Sequence, residues 1–92
     1  MKWSWLLMGQ AQMKIARIHE LNLVNYLKSP PFYATEKSID YGVQFTLASG
    51  VIFNFHYSSK TPNYFSLTPQ NQTANQEQAD MVMHFASSVA EK

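Results

Sequence analysis

Two stretches of strict apolar alternation, separated by three small residues, constrain this chain more than anything else in it. In residues 41–47 the odd positions Tyr41, Val43, Phe45 and Leu47 are large and apolar, and in residues 51–57 Val51, Phe53, Phe55 and Tyr57 repeat the pattern. Side chains of a strand alternate between its two faces, so a period of two marks half-buried strands. The connection fixes their register. A two-residue turn at Ser49-Gly50 would set Ala48 against Val51 and lay the polar face of one strand beside the apolar face of the other. A three-residue turn, Ala48-Ser49-Gly50, pairs Leu47 with Val51, Phe45 with Phe53 and Val43 with Phe55. It also places a glycine where such loops need a left-handed residue. Hydrophobic register and turn chemistry therefore agree on the second pairing.

The rest of the chain is assigned around this hairpin. Residues 10–28 alternate polar and apolar at helical intervals, with Ile15, Ile18, Leu21, Val24 and Leu27 as the apolar series. Steps of three make the stripe drift, which two short helices broken near residues 20–22 would explain, with Asn22 capping the second; a strand over 13–18 is the alternative. Pro30-Pro31 ends this segment. Residues 32–35 read as a short edge strand, and Glu36, Lys37 and Ser38 as a polar loop. A further strand runs from Tyr64 to Thr68 and is expected to stop at Pro69. Asn75 is the expected N-cap of a helix over 75–91, with Gln78 three residues on, and Ala79, Val82, Phe85, Ala86 and Val89 form its apolar stripe. The fold class expected is α+β: an N-terminal helical segment, an antiparallel sheet of three or four strands, and a C-terminal helix packed on one sheet face.

Bulk composition supports a single domain over residues 1–92. The chain is 46% hydrophobic and 14% aromatic, enough for a core, although a domain this short buries only about 60–65% of its unfolded surface. Charged residues make up 14%, well below the roughly 25% of an average domain, and a sparsely charged surface invites self-association. The net charge of +1 gives no general drive towards nucleic acid or anionic lipid. Without cysteine there is no disulfide framework, thiolate metal site or cysteine nucleophile, and a reducing cytoplasm is the expected location. The apolar run after Lys2 is too short for a signal core or a membrane span. Residues 1–12 are expected to form an apolar arm that buries Trp3, Trp5 and Leu6 in an interface.

No motif compels a chemistry. The histidines His19, His56 and His84 share no metal-binding spacing, no serine lies in a nucleophile elbow, and no glycine-rich phosphate loop is present. Catalytic residues, a metal and a cofactor are accordingly not expected. Asn71-Gln72-Thr73 matches a glycosylation sequon, a pattern short enough to arise by chance. The hairpin register leaves one candidate. It sets Gln44 opposite Asn54 and Gly42 opposite His56 on the polar side, where the small residue across from the imidazole is expected to leave a shallow gap and two amides could read a polar ligand, with Asp40, Tyr41 and Tyr64 at the rim. No carboxylate shares that face, so binding is expected there rather than acid–base catalysis.

The run Tyr41-Gly42-Val43-Gln44-Phe45, then Ser49-Gly50-Val51-Ile52-Phe53, then a strand closing at Gln70 before a helix, resembles the N-terminal substrate-binding domain of ribonuclease HIII. That family is a half-repeat of the TATA-binding-protein-like fold. The resemblance implies an N-terminal helix, a curved sheet and a C-terminal helix, with the sheet docking on a nucleic-acid hybrid. It covers residues 39–68, about a third of the chain. The family's strand tends to end in Gln-Gly-Lys, whereas Asn71 and Gln72 follow Gln70 here, and the polar face of the sheet is expected to carry Gln, Thr, Asn and His with no Lys or Arg. The chain is thus expected to be a non-enzymatic interaction module that forms homodimers without a membrane. Binding of nucleic acid or a nucleotide by the sheet face, with Tyr41, Tyr57 and Tyr64 stacking on bases, is the alternative.

Overall fold

The computed structural model describes residues 12–90, and in it the central hairpin has the register that its alternation dictates. Strands β3 (Gly42–Thr46) and β4 (Ile52–Tyr57) pair Val43 with Phe55, Gln44 with Asn54 and Phe45 with Phe53. The turn closes with Leu47 N–H donating to Val51 C=O at 2.8 Å and Gly50 N–H donating to Leu47 C=O at 2.8 Å. Gly50 has φ +101°, a conformation that costs an L-residue about 1–2 kcal/mol.

Three more strands extend this pair into a five-stranded antiparallel sheet of order β1-β5-β4-β3-β2, with β1 (Met13–Ala16), β2 (Thr35–Ile39) and β5 (Tyr64–Gln70). Helix α1 (Glu20–Lys28) connects β1 to β2, and α2 (Gln76–Ala90) follows β5. The α+β class holds, with five strands where three or four were expected. Residues 13–16 take the strand alternative. The break then falls at Ala16, where Arg17 N–H turns away to donate to Asn63 C=O at 2.8 Å, and a 3-10 turn over Arg17–His19 leads into α1. Asn22 lies within α1 and does not cap it.

Two boundaries are corrected. The edge strand is not residues 32–35 but Thr35–Ile39, so Glu36, Lys37 and Ser38 are strand rather than loop. An edge strand bonds on one side only and tolerates charge, which hides its alternation. Strand β5 runs through Pro69, which pairs with Phe53. Antiparallel residues bond alternately to one neighbour and the other. Leu47–Val51 and Tyr57–Tyr41 are hydrogen-bonded, so the odd residues of β4 bond to β3 and the even ones to β5. The side of Pro69 that lacks an N–H therefore faces β1, which has already ended at Met13 opposite Leu67.

Both helices lie on the apolar face. Leu23 and Leu27 of α1, and Ala79, Val82, Met83 and Ala86 of α2, are buried with Ile15, Phe45, Phe53, Phe55, Phe65 and Leu67. Phe45, Phe55 and Phe65 form a row across β3, β4 and β5 with ring centroids 4.7 Å apart at each step. Asn75 caps α2 as expected, its Oδ1 accepting from Gln78 N–H at 3.0 Å. Among the described residues no helix is long and apolar enough to cross a membrane. Trp3, Trp5 and Leu6 lie outside the described residues.

Candidate functional site

The face opposite the helices is built by the sheet register. Residues paired across strands share a face, so the row through Gln44 contains Lys37, Gln44, Asn54 and Thr68, and the row through His56 contains Ile39, Gly42, His56, Ser66 and Lys14. A third row joins Thr35, Thr46, Ile52 and Gln70. Because α1 and α2 both pack on the other side, no described element is stacked on these residues.

Amide bonding orders the centre of the face. Gln44 Nε2 donates to Asn54 Oδ1 at 2.9 Å, and Asn54 Nδ2 donates to Gln70 Oε1 at 2.9 Å. Among the described residues Asn54 is the one polar residue that is buried, at 8% exposure. Its bonds satisfy one donor hydrogen and one lone pair, leaving one of each for a further partner. Next to it the hydroxyl of Thr68 is buried without a hydrogen-bond partner among the described residues. A buried unpaired hydroxyl beside an incompletely used amide is an arrangement that water or a ligand would complete.

The structure brings Gln44, Asn54 and His56 together, as expected from the hairpin. It adds Gln70 and Thr68. It also corrects the charge of the face: Lys37 stands opposite Gln44 and Lys14 opposite Ser66, one at each margin of the sheet. By pairing alone the five strands put no carboxylate on this side, since Glu36 pairs with Phe45 on the helix side and there meets Lys28 at 2.5 Å. The signal for Lys37 was present in the sequence: Thr35, Lys37 and Ile39 continue the polar alternation once residues 35–39 are read as a strand.

The tyrosines divide. Tyr64 lies on the candidate face, half-exposed, with the Lys14 ammonium 5.9 Å from its ring centre. Tyr41 sits in the β2–β3 turn at φ +63°, almost fully exposed, and its carbonyl accepts from Tyr57 N–H at 2.8 Å. Tyr57 pairs with Phe65 and so points to the helix side, which removes it from any stacking role on the polar face. Its hydroxyl donates to Glu20, and the Arg17 guanidinium lies 4.4 Å above its ring. Burial, and then the bond to the Glu20 carboxylate, push its phenol well above the usual tyrosine range.

Gly42, opposite His56, does not provide the shallow ligand gap that the pairing suggests. A Cβ there would lie 1.8 Å from the carbonyl oxygen of Phe55, so the glycine serves a close backbone approach. His19 lies in the 3-10 turn and His84 on α2, both away from His56. No group of three or more metal-ligating side chains converges among the described residues. Neither a family model nor a curated protein nor a solved structure matches this chain.

Proposed function

We propose that the chain is a non-enzymatic binding module whose polar sheet face lies against double-helical nucleic acid, touching its backbone and groove edges. The observation that carries this is the placement of Lys14 and Lys37 at opposite margins of a face whose polar groups are otherwise amides, hydroxyls and an imidazole, interspersed with Ile39, Ile52 and Tyr64. Four inter-strand spacings separate the two lysines across the sheet, roughly 19 Å. Two flanking cations suit phosphates on both sides of a groove, and the uncharged centre suits hydroxyl and base edges between them. The wide, shallow minor groove of A-form helices, lined by 2′-hydroxyls, offers such edges to short amide and hydroxyl side chains. Stacking on single strands is less well served, since Tyr64 is the one tyrosine the strands place on the face. The resemblance to the ribonuclease HIII substrate-binding domain points to the same class of ligand.

Binding of a short labelled RNA–DNA hybrid duplex tests the proposal. Two neutralised phosphates give a log–log salt slope of about −1.8. The double variant Lys14→Gln/Lys37→Gln should flatten that slope towards zero and weaken binding at low salt. A slope unchanged by the double variant removes the proposal.

Self-association is the second reading. The edge strands are guarded, β2 by Glu36 and Lys37 and β1 by Lys14, so open edges do not favour it. What favours it is a pair of exposed apolar side chains, Ile18 in the 3-10 turn at 83% and Leu21 in the first turn of α1 at 69% exposure. A homodimer built on them should dissociate in Leu21→Lys when measured by light scattering; a wild-type mass of 10.6 kDa at micromolar concentration rules it out.

A further inference from the structure

On the opposite side of the molecule a groove of about 400 Å³ runs between α1 and α2, lined by Tyr26, Glu77, Asp80, Met81 and His84. Its wall is rigid. The Tyr26 ring stacks on Phe85 at 4.0 Å with 2° between planes, and is tilted against Phe32 at 5.1 Å. Its other contributors come from α2, where residues 77, 80, 81 and 84 follow the i, i+3, i+4, i+7 spacing that aligns side chains along one face. Met81 is 40% exposed although its neighbour Met83 is fully inside the core.

Charge separates this groove from the rest of the surface. The segment Gln76–Ala90 contains Glu77 and Asp80 but no Lys or Arg. Neither carboxylate takes part in an ion pair among the described residues, whose two ion pairs are Arg17–Glu20 and Lys28–Glu36. Among the described residues Asp80 accepts from the neutral Gln76 amide, at 3.3 Å. Two carboxylates with no Lys or Arg partner among the described residues thus border a floor made of an aromatic ring and a thioether, beside His84. An aliphatic stem ending in a cation matches both parts: the methylenes cover Met81 and Tyr26, and the charged head reaches the carboxylates.

We infer that this groove docks an arginine or lysine side chain presented by a basic segment of a partner protein. The occupant is chosen by charge complementarity. The sheet face, where Lys14 and Lys37 lie, would repel such a segment, so the two surfaces take different partners and the module can bridge them. This inference does not depend on what the sheet face binds.

Fluorescence anisotropy with a labelled oligo-arginine peptide tests it, with the same peptide carrying citrulline as the uncharged control. The arginine peptide should bind and the citrulline peptide should not. Glu77→Gln/Asp80→Asn should weaken binding about tenfold or more, the loss of charge-assisted bonds of this kind. Asp40→Asn, which removes a carboxylate from the distant β2–β3 turn, should leave it unchanged. Because Asp80 also bonds within α2, a second variant guards against misfolding: Met81→Lys keeps both carboxylates, lies at an exposed position and fills the groove with the chain's own cation. It should abolish binding while circular dichroism stays that of the wild type. Arginine-peptide binding that survives Met81→Lys, equal binding of the citrulline peptide, an equal loss in Asp40→Asn, or no binding at all overturns the inference.

Discussion

Asn54 separates a structural role of the amide ladder from a recognition role, because the two respond differently to the replacements Asn54→Ala and Asn54→Val. Asn54 takes part in two side-chain hydrogen bonds of 2.9 Å, one to Gln44 and one to Gln70. Net contributions of such bonds are about 0.5–1.5 kcal/mol each, so removing both costs about 1–3 kcal/mol. The orphaned partners limit the loss: Gln44 is half-buried and Gln70 exposed, and water can reach the amides they lose. Asn54→Ala should therefore lower stability by about 2 kcal/mol, a fall of roughly 8–16 °C in Tm for a domain of this size. Asn54→Val loses the same bonds but gains a β-branched side chain in a central strand, a preference worth up to about 1 kcal/mol, together with apolar burial. It should sit within about 1 kcal/mol of the wild type. Duplex binding should fall in both variants. Thermal unfolding by circular dichroism gives the first quantity and anisotropy the second. If Val proves as destabilising as Ala, or if either folded variant binds as the wild type does, the ladder is structural and recognition does not pass through Asn54.

Gly42→Ala should be among the most damaging single changes, because the new Cβ meets backbone and not a movable side chain; a loss of more than about 3 kcal/mol in urea unfolding is expected, and a loss below about 1 kcal/mol contradicts the close approach. Tyr57 gives a pH signature. Its phenol is held above its ordinary value in the folded state, so its contribution to stability is fully present below about pH 10, the unfolded value, and is lost as pH rises through the folded one. The stability difference between wild type and Tyr57→Phe should accordingly be constant from neutral pH to about pH 9 and shrink above pH 10; a difference that grows with alkali would contradict the bond to Glu20.

Much of this architecture was legible wherever local pattern and local turn chemistry spoke together. The register of β3 and β4 followed from alternation plus Gly50, and the start of α2 from Asn75, because each depends on residues close in sequence. Long-range pairing concealed the rest. Nothing near residues 13–16 says that they lie beside β5, and the charges in Glu36-Lys37 imitate a loop until β3 is seen to pair with them. Pro69 ends a strand only if its missing N–H has a partner to disappoint, which depends on where β1 stops. The candidate site suffered in the same way. Its centre, Gln44, Asn54 and His56, came from one hairpin, while Lys14, Lys37, Thr68 and Gln70 arrive from three other strands. The missed lysines change the ligand class, since the hairpin by itself offers no cation. Tyr57 belongs to the helix side by the same alternation, since its odd number puts it with Phe53 and Phe55, and it is not available to stack on the polar face.

Two-dimensional NMR of the isotopically labelled chain, titrated with a short RNA–DNA hybrid duplex, addresses the sheet-face proposal most directly. Amide and side-chain signals of Gln44, Asn54, His56 and Thr68 should shift together and saturate at one affinity, while those of Ala79, Val82 and Met83 beneath the helices stay in place. Shifts confined to α1 and α2, with the signals of Gln44 and Asn54 unmoved, would contradict a sheet that reads nucleic acid.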